Sequence, residues 1–187
     1  MKNIIEKYVS TLHHALTTIA QGDINELAEA LLIAWRNDKN IYLCGNGGSA
    51  GNAIHAANDL LYGAGNVNGK GLKVEALSSN PAVLTCLAND LGYEHIYSEQ
   101  IKVKGNEGDL LIVLSGSGNS PNIITAIEAA AKKGLKTFAI LGFDGGACKL
   151  KANGVVHFQV NDMQIAEDLQ LIVLHMCMKF LSQQKIS

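Results

Sequence analysis

The sequence predicts an α/β fold in which a parallel sheet is covered by helices and preceded by a helical N-terminal segment. Three observations predict it. From residue 40 onward, short apolar runs alternate with stretches of helical spacing. Two of those runs lead straight into Gly/Ser bends, Cys44-Gly45-Asn46-Gly47-Gly48-Ser49 and Ser115-Gly116-Ser117-Gly118-Asn119-Ser120, each placed where a strand should end and a helix begin. The run 110–114 is apolar without interruption, the pattern of a strand buried on both faces.

Each element follows from its own residues. Up to Arg36 the chain reads as two helices, with almost no glycine or proline. Asp23 is the expected N-cap of the second, with Glu26 completing a capping box. Leu27, Leu31, Ile33 and Ala34 then supply helical spacing, and Asp38-Lys39-Asn40 ends it. Strands are expected at 41–44, 72–77, 109–114, 137–141 and 155–158. Helices are expected at 49–61, 81–88, 121–133, 147–152 and 163–181. The 187 residues read as one domain, with helices over 1–38 and an α/β core over 39–187.

Composition narrows the function. The chain is 48% hydrophobic and 17% charged, which excludes disorder. A net charge of −2 gives no general attraction to nucleic acid or anionic lipid. No apolar run approaches the ~20 residues that span a bilayer, and the charged start Met1-Lys2-Asn3-Ile4-Ile5-Glu6-Lys7 lacks the apolar block of a signal peptide. A cytoplasmic protein is expected, with Cys44, Cys86, Cys148 and Cys177 reduced and mostly buried.

Gly/Ser bends beyond strand ends are suited to anions. Glycine lets a ligand approach the backbone, and serine hydroxyls and free helix N–H groups bind phosphate. The second bend is the better anion site, because Pro121 follows it at a favoured first helical position. Arg36 is the only arginine and lies in neither bend, so hydroxyls and amides must hold the anion without a guanidinium. His55 and Asp59, spaced i,i+4, share a helix face and can take two positions around zinc. Glu167 and His175 are eight residues apart, about 12 Å of helix rise. They either lean toward one ion, serve different centres, or meet at a subunit interface. His13, His14, His95 and His157 show no ligand spacing and read as structural.

With these residues in place, the chain resembles the sugar isomerase (SIS) domain family, and most closely its phosphoheptose isomerase branch. The matching residues are the first bend with Ala50 and His55, Asn89-Asp90-Leu91-Gly92-Tyr93, Gly108-Asp109-Leu110, the second bend, and Glu167 through His175. The resemblance implies a five-stranded parallel sheet and a homotetramer with active sites between subunits. It implies a phosphosugar aldose–ketose isomerase converting sedoheptulose 7-phosphate to D-glycero-D-manno-heptose 7-phosphate for surface polysaccharide. It further implies substrate binding by Asn46, Gly47, Gly48, Ser49, Asn89, Asp90, Ser115, Gly116, Ser117, Ser120 and Glu167. Zinc would be held by His55, Asp59, Glu167 and His175, with Asp59 as base and His175 as partner acid. The alternative within the family is a non-catalytic protein that binds the replication initiator or another protein.

The chain departs from the family pattern at several positions. Asp59 stands where glutamate is usual, Glu167 where glutamine is, Gly116 where threonine is, Asn80 where aspartate is often found, and Gly63 where an arginine is expected.

Overall fold

The computed structural model describes residues 1–65 and 69–186. Helices α1 (Lys2–Thr18) and α2 (Gln21–Arg36) come first. α2 starts earlier than its capping signal implies: Ala20 is the N-cap, without a side-chain hydrogen bond, and Asp23 lies inside the first turn. There its charge still complements the positive end of the helix dipole. Leu27, Leu31, Ala34 and Trp35 form the buried face, whereas Ile33, about 240° around the helix from Leu27, is exposed.

The alternating part then runs β1 (Asn40–Gly45), α3 (Gly48–Asn58), a π-helical turn (Asp59–Gly63), β2 (Lys73–Ala76) and α4 (Pro81–Leu91). A 3₁₀ turn (Tyr93–His95), α5 (Ser98–Lys104), β3 (Leu110–Ser115) and α6 (Pro121–Lys132) follow. The chain ends with β4 (Lys136–Leu141), α7 (Cys148–Lys151), β5 (Gly154–His157) and α8 (Met163–Ser182). The five strands form one parallel sheet in the order β2-β1-β3-β4-β5. Sequence reasoning missed α5, whose charged residues mask its spacing, and took 49–61 as one continuous helix.

Alternation along the strands splits the core in two. Ile41, Leu43, Ile112, Leu114, Phe138 and Ile140 pack on one face with α2, α3 and α8. Tyr42, Cys44, Leu111, Val113 and Ala139 pack on the other with α5 and α6. This period-two division is what a parallel sheet between helical layers requires.

Two strong caps fix the entries of helices that flank the bends. Asn80 accepts from the N–H groups of Ala82 and Val83, with Pro81 at the first helical position. Asp162 accepts from the N–H of Ile165 at the start of α8. All four cysteines are free; Cys44, Cys148 and Cys177 are buried and Cys86 is exposed. Among the described residues, no helix is long and apolar enough to cross a membrane.

Candidate active site

β1 and β3 are parallel neighbours, with Gly45 in register with Leu114. Their C-terminal bends therefore leave the same sheet edge side by side, at the position where ligands settle in open α/β sheets. A pair of amides joins them. Asn46 Nδ2 donates to Asn122 Oδ1 at 2.9 Å, and Asn122 Nδ2 donates to Asn46 Oδ1 at 2.7 Å. The Tyr93 hydroxyl also donates to Asn46 Oδ1 at 3.0 Å. Sequence reasoning did not single out Asn122. The available signal was a polar residue in the first turn of an otherwise apolar α6, and the structure buries it to 1% exposure.

The second bend is held by its own hydroxyls. Ser115 Oγ accepts from the Gly118 N–H at 3.0 Å and Ser117 Oγ from the Asn119 N–H at 3.3 Å. Each hydroxyl keeps its own proton to donate. Ser120 is the N-cap of α6 and makes no side-chain capping bond. Gly118 has φ +65°, and a Cβ there would overlap the Gly145 carbonyl. A Cβ at Gly116 would come within 2.5 Å of Met163 Sδ, so the thioether of Met163 fills the space beside this glycine.

The first bend turns into α3 through Gly47, at φ 54° and ψ −122°, with open space where a side chain would stand. Ser49 is buried in the first turn of α3. The Glu167 carboxylate lies against Gly48, where a Cβ would overlap it. This places a carboxylate beside the first turn of α3, whose dipole end is positive. Asn89 and Asp90 are exposed on α4, a helix with no buried residue, and contact each other at 2.8 Å.

Farther along α3, three chemistry-bearing side chains converge. Asp59 Oδ2 lies 3.3 Å from His55 Nε2 and 3.3 Å from His175 Nε2, and the two imidazole nitrogens are 3.0 Å apart. The helical i,i+4 spacing aligns His55 with Asp59, and α8 brings His175 across. At Asp59 the helix widens into its π turn, with the Ala64 N–H donating to the Asp59 carbonyl at 3.1 Å. Such turns are frequent at functional positions. The three atoms fit a cation: ligands about 2.0–2.1 Å from zinc in tetrahedral array stand about 3.3 Å apart. Glu167 stands apart from this group, so three of the four expected metal ligands come together. The buried thiols are poor nucleophiles, since burial pushes Cys148 up to about 11 and Cys177 to about 12.

Comparison with known proteins identifies the family. The SIS domain pattern matches residues 5–142. A phosphoheptose isomerase of Chlorobaculum parvum is 44% identical over 140 residues, 73% of this chain and 67% of that protein. The chain belongs to the SIS domain family, on its phosphoheptose isomerase branch. Over nearly the whole length, it is 35% identical to a phosphoheptose isomerase of Vibrio vulnificus, covering 97% of this chain and 92% of that one. The solved phosphoheptose isomerase of Neisseria gonorrhoeae superposes with a TM-score of 0.90 at 26% identity, over 98% of this chain and 97% of that one. The five-stranded parallel sheet expected from the family resemblance is the one observed.

Proposed function

We propose that the protein is a phosphosugar aldose–ketose isomerase that interconverts sedoheptulose 7-phosphate and D-glycero-D-manno-heptose 7-phosphate, supplying heptose for surface polysaccharide. The observation that carries this reading is the convergence of His55, Asp59 and His175 in a chain whose two bends are tied together at one sheet edge. A protein that only bound a partner would need no such cluster.

In this reading the ester phosphate sits at the start of α6, taking hydrogen bonds from Ser115, Ser117 and Ser120 and from bend amides. Ser49 and the backbone at Gly47, Gly48 and Gly116 line the approach. Asn46, Asn89, Asp90 and Glu167 contact sugar hydroxyls. Because Asn89 and Asp90 stand on an outward-facing helix, they contribute across a subunit boundary, in a homotetramer whose sites lie between copies.

His55, Asp59 and His175 would hold one divalent cation, zinc by ligand chemistry. Bound there, it would supply Lewis acidity to the carbonyl and neighbouring hydroxyl oxygens. Asp59 accepts the proton from the carbon beside the carbonyl, and His175 donates a proton to the carbonyl oxygen, giving the enediol. A His175 Nε2 holding the cation would carry no proton, so the ligand and acid roles of His175, and the ligand and base roles of Asp59, are alternatives. Returning a proton to the former carbonyl carbon and removing one from the neighbouring hydroxyl gives the aldose. Asp59 Oδ2 faces both imidazoles, and Oδ1, which accepts from Asn58 Nδ2 at 3.3 Å, is the oxygen outside the imidazole pair. The site is proposed to work in the cytoplasm, within a single domain spanning 1–187.

The test is to incubate zinc-loaded protein with sedoheptulose 7-phosphate and follow the aldose by NMR. Appearance of the heptose 7-phosphate supports the reading, and no turnover overturns it.

A further inference from the structure

The two helices that carry the cluster meet at a second polar contact, part-buried on α3 and buried on α8. Asn52 lies one turn before His55 on α3 and points its amide into α8. Its Nδ2 donates to the Glu167 carbonyl at 2.9 Å and to Gln170 Oε1 at 3.1 Å. Both amide hydrogens are therefore committed, and a reversed amide would set oxygen against two oxygens. Gln170 is 1% exposed, and its Nε2 has no partner among the described residues. A glutamine is an expensive residue to bury when one of its groups stays unsatisfied. Packing alone would favour an apolar side chain of similar volume there.

The position of this contact explains the choice. It lies between Glu167, which rests on the first bend, and His175, which joins His55 and Asp59. Apolar helix packing fixes interaxial distance loosely and allows small axial slips, whereas two amide hydrogen bonds fix both. A slip of about 1 Å would carry His55 and His175, now 3.0 Å apart, away from the spacing of about 3.3 Å that tetrahedral zinc ligands take.

We propose that Asn52 and Gln170 are positioning residues: an amide clamp that sets α3 against α8 so that His55, Asp59 and His175 fall within one coordination sphere. The inference rests on the reading of that cluster as a cation site, and it concerns residues that touch neither cation nor substrate.

The experiment measures zinc affinity by competition with a chromophoric chelator in the full chain, Asn52→Leu, Gln170→Met and the double variant, with folding checked by circular dichroism. Each single substitution is expected to weaken zinc binding about tenfold. The double variant should be no weaker than the worse single, because both break one contact. If Asn52→Leu does not fold, Gln170→Met carries the test, since its volume is kept and an unsatisfied donor is removed. Unchanged zinc affinity in a folded variant overturns the inference alone, as does full additivity in the double. No zinc uptake by the unaltered chain overturns the cation reading and the clamp with it.

Discussion

Asn46 and Asn122 exchange two amide hydrogen bonds, 2.9 and 2.7 Å long, between the first bend and the start of α6. This pair ties the ends of two neighbouring strands together. Asn122 is buried, so removing its amide leaves Asn46 short of partners. Asn122→Leu should cost about 1–3 kcal/mol in urea denaturation and raise KM for the sugar phosphate more than it lowers kcat.

Gly48→Ala should disturb the site with a smaller effect on the fold. The added methyl takes the space of the Glu167 carboxylate and drives it from the positive end of α3. A displacement of about 1 Å at a reacting centre costs up to ~10²-fold in rate. Steady-state kinetics of the folded variant are expected to show a loss in kcat/KM of that order.

Gly118→Ala should act on stability as well. Its φ of +65° and its approach to the Gly145 carbonyl leave no room for a side chain. A loss of about 1–3 kcal/mol is expected, read from the midpoint of chemical denaturation, together with weaker binding of phosphate esters.

Stability should fall in alkali. Burial raises Tyr42 from 10.0 to about 12 and Cys177 from 9.0 to about 12. Tyr8 rises from 10.0 to about 12, chiefly through its hydrogen bond to Asp168. Each group holds its proton more tightly when folded. Their contribution is therefore complete below about pH 9 and is lost as pH climbs toward about 12. Urea midpoints should be flat from pH 7 to 9 and decline above it, with a shallower decline in Tyr42→Phe.

Much of the fold was legible because its signals are local. Unbroken apolar runs such as 110–114 mark parallel strands, and Pro121 and Pro81 mark helix starts. The two bends were visible as glycine and serine at strand ends. The pairing of His55 with Asp59 follows from helical spacing alone. Long-range placement was not legible in the same way. Glu167 and His175 sit on one helix, but only packing decides that one rests on Gly48 and the other joins the cluster. Asn122, Tyr93 and Asn52 look like ordinary polar residues until tertiary contacts assign their partners. The capping box at Asp23 misled because α2 begins two residues earlier, at Gln21, and places Asp23 in its first turn.

The departure at Gly116 also gains a physical reason. Met163 Sδ stands within 2.5 Å of where a Cβ would be, so a threonine there requires this methionine to move. Gly116→Thr paired with Met163→Ala should restore room for the hydroxyl and bind phosphate esters at least as tightly as the unaltered chain, by isothermal titration calorimetry. Gly116→Thr alone should bind more weakly.

In the proposed reaction, two joined bends hold the sugar phosphate without any arginine. The most direct measurement is a crystal structure with sedoheptulose 7-phosphate bound. The phosphate is expected within hydrogen-bond distance of Ser115, Ser117 and Ser120 at the start of α6. A phosphate seated elsewhere, with those three hydroxyls facing only water, would contradict it.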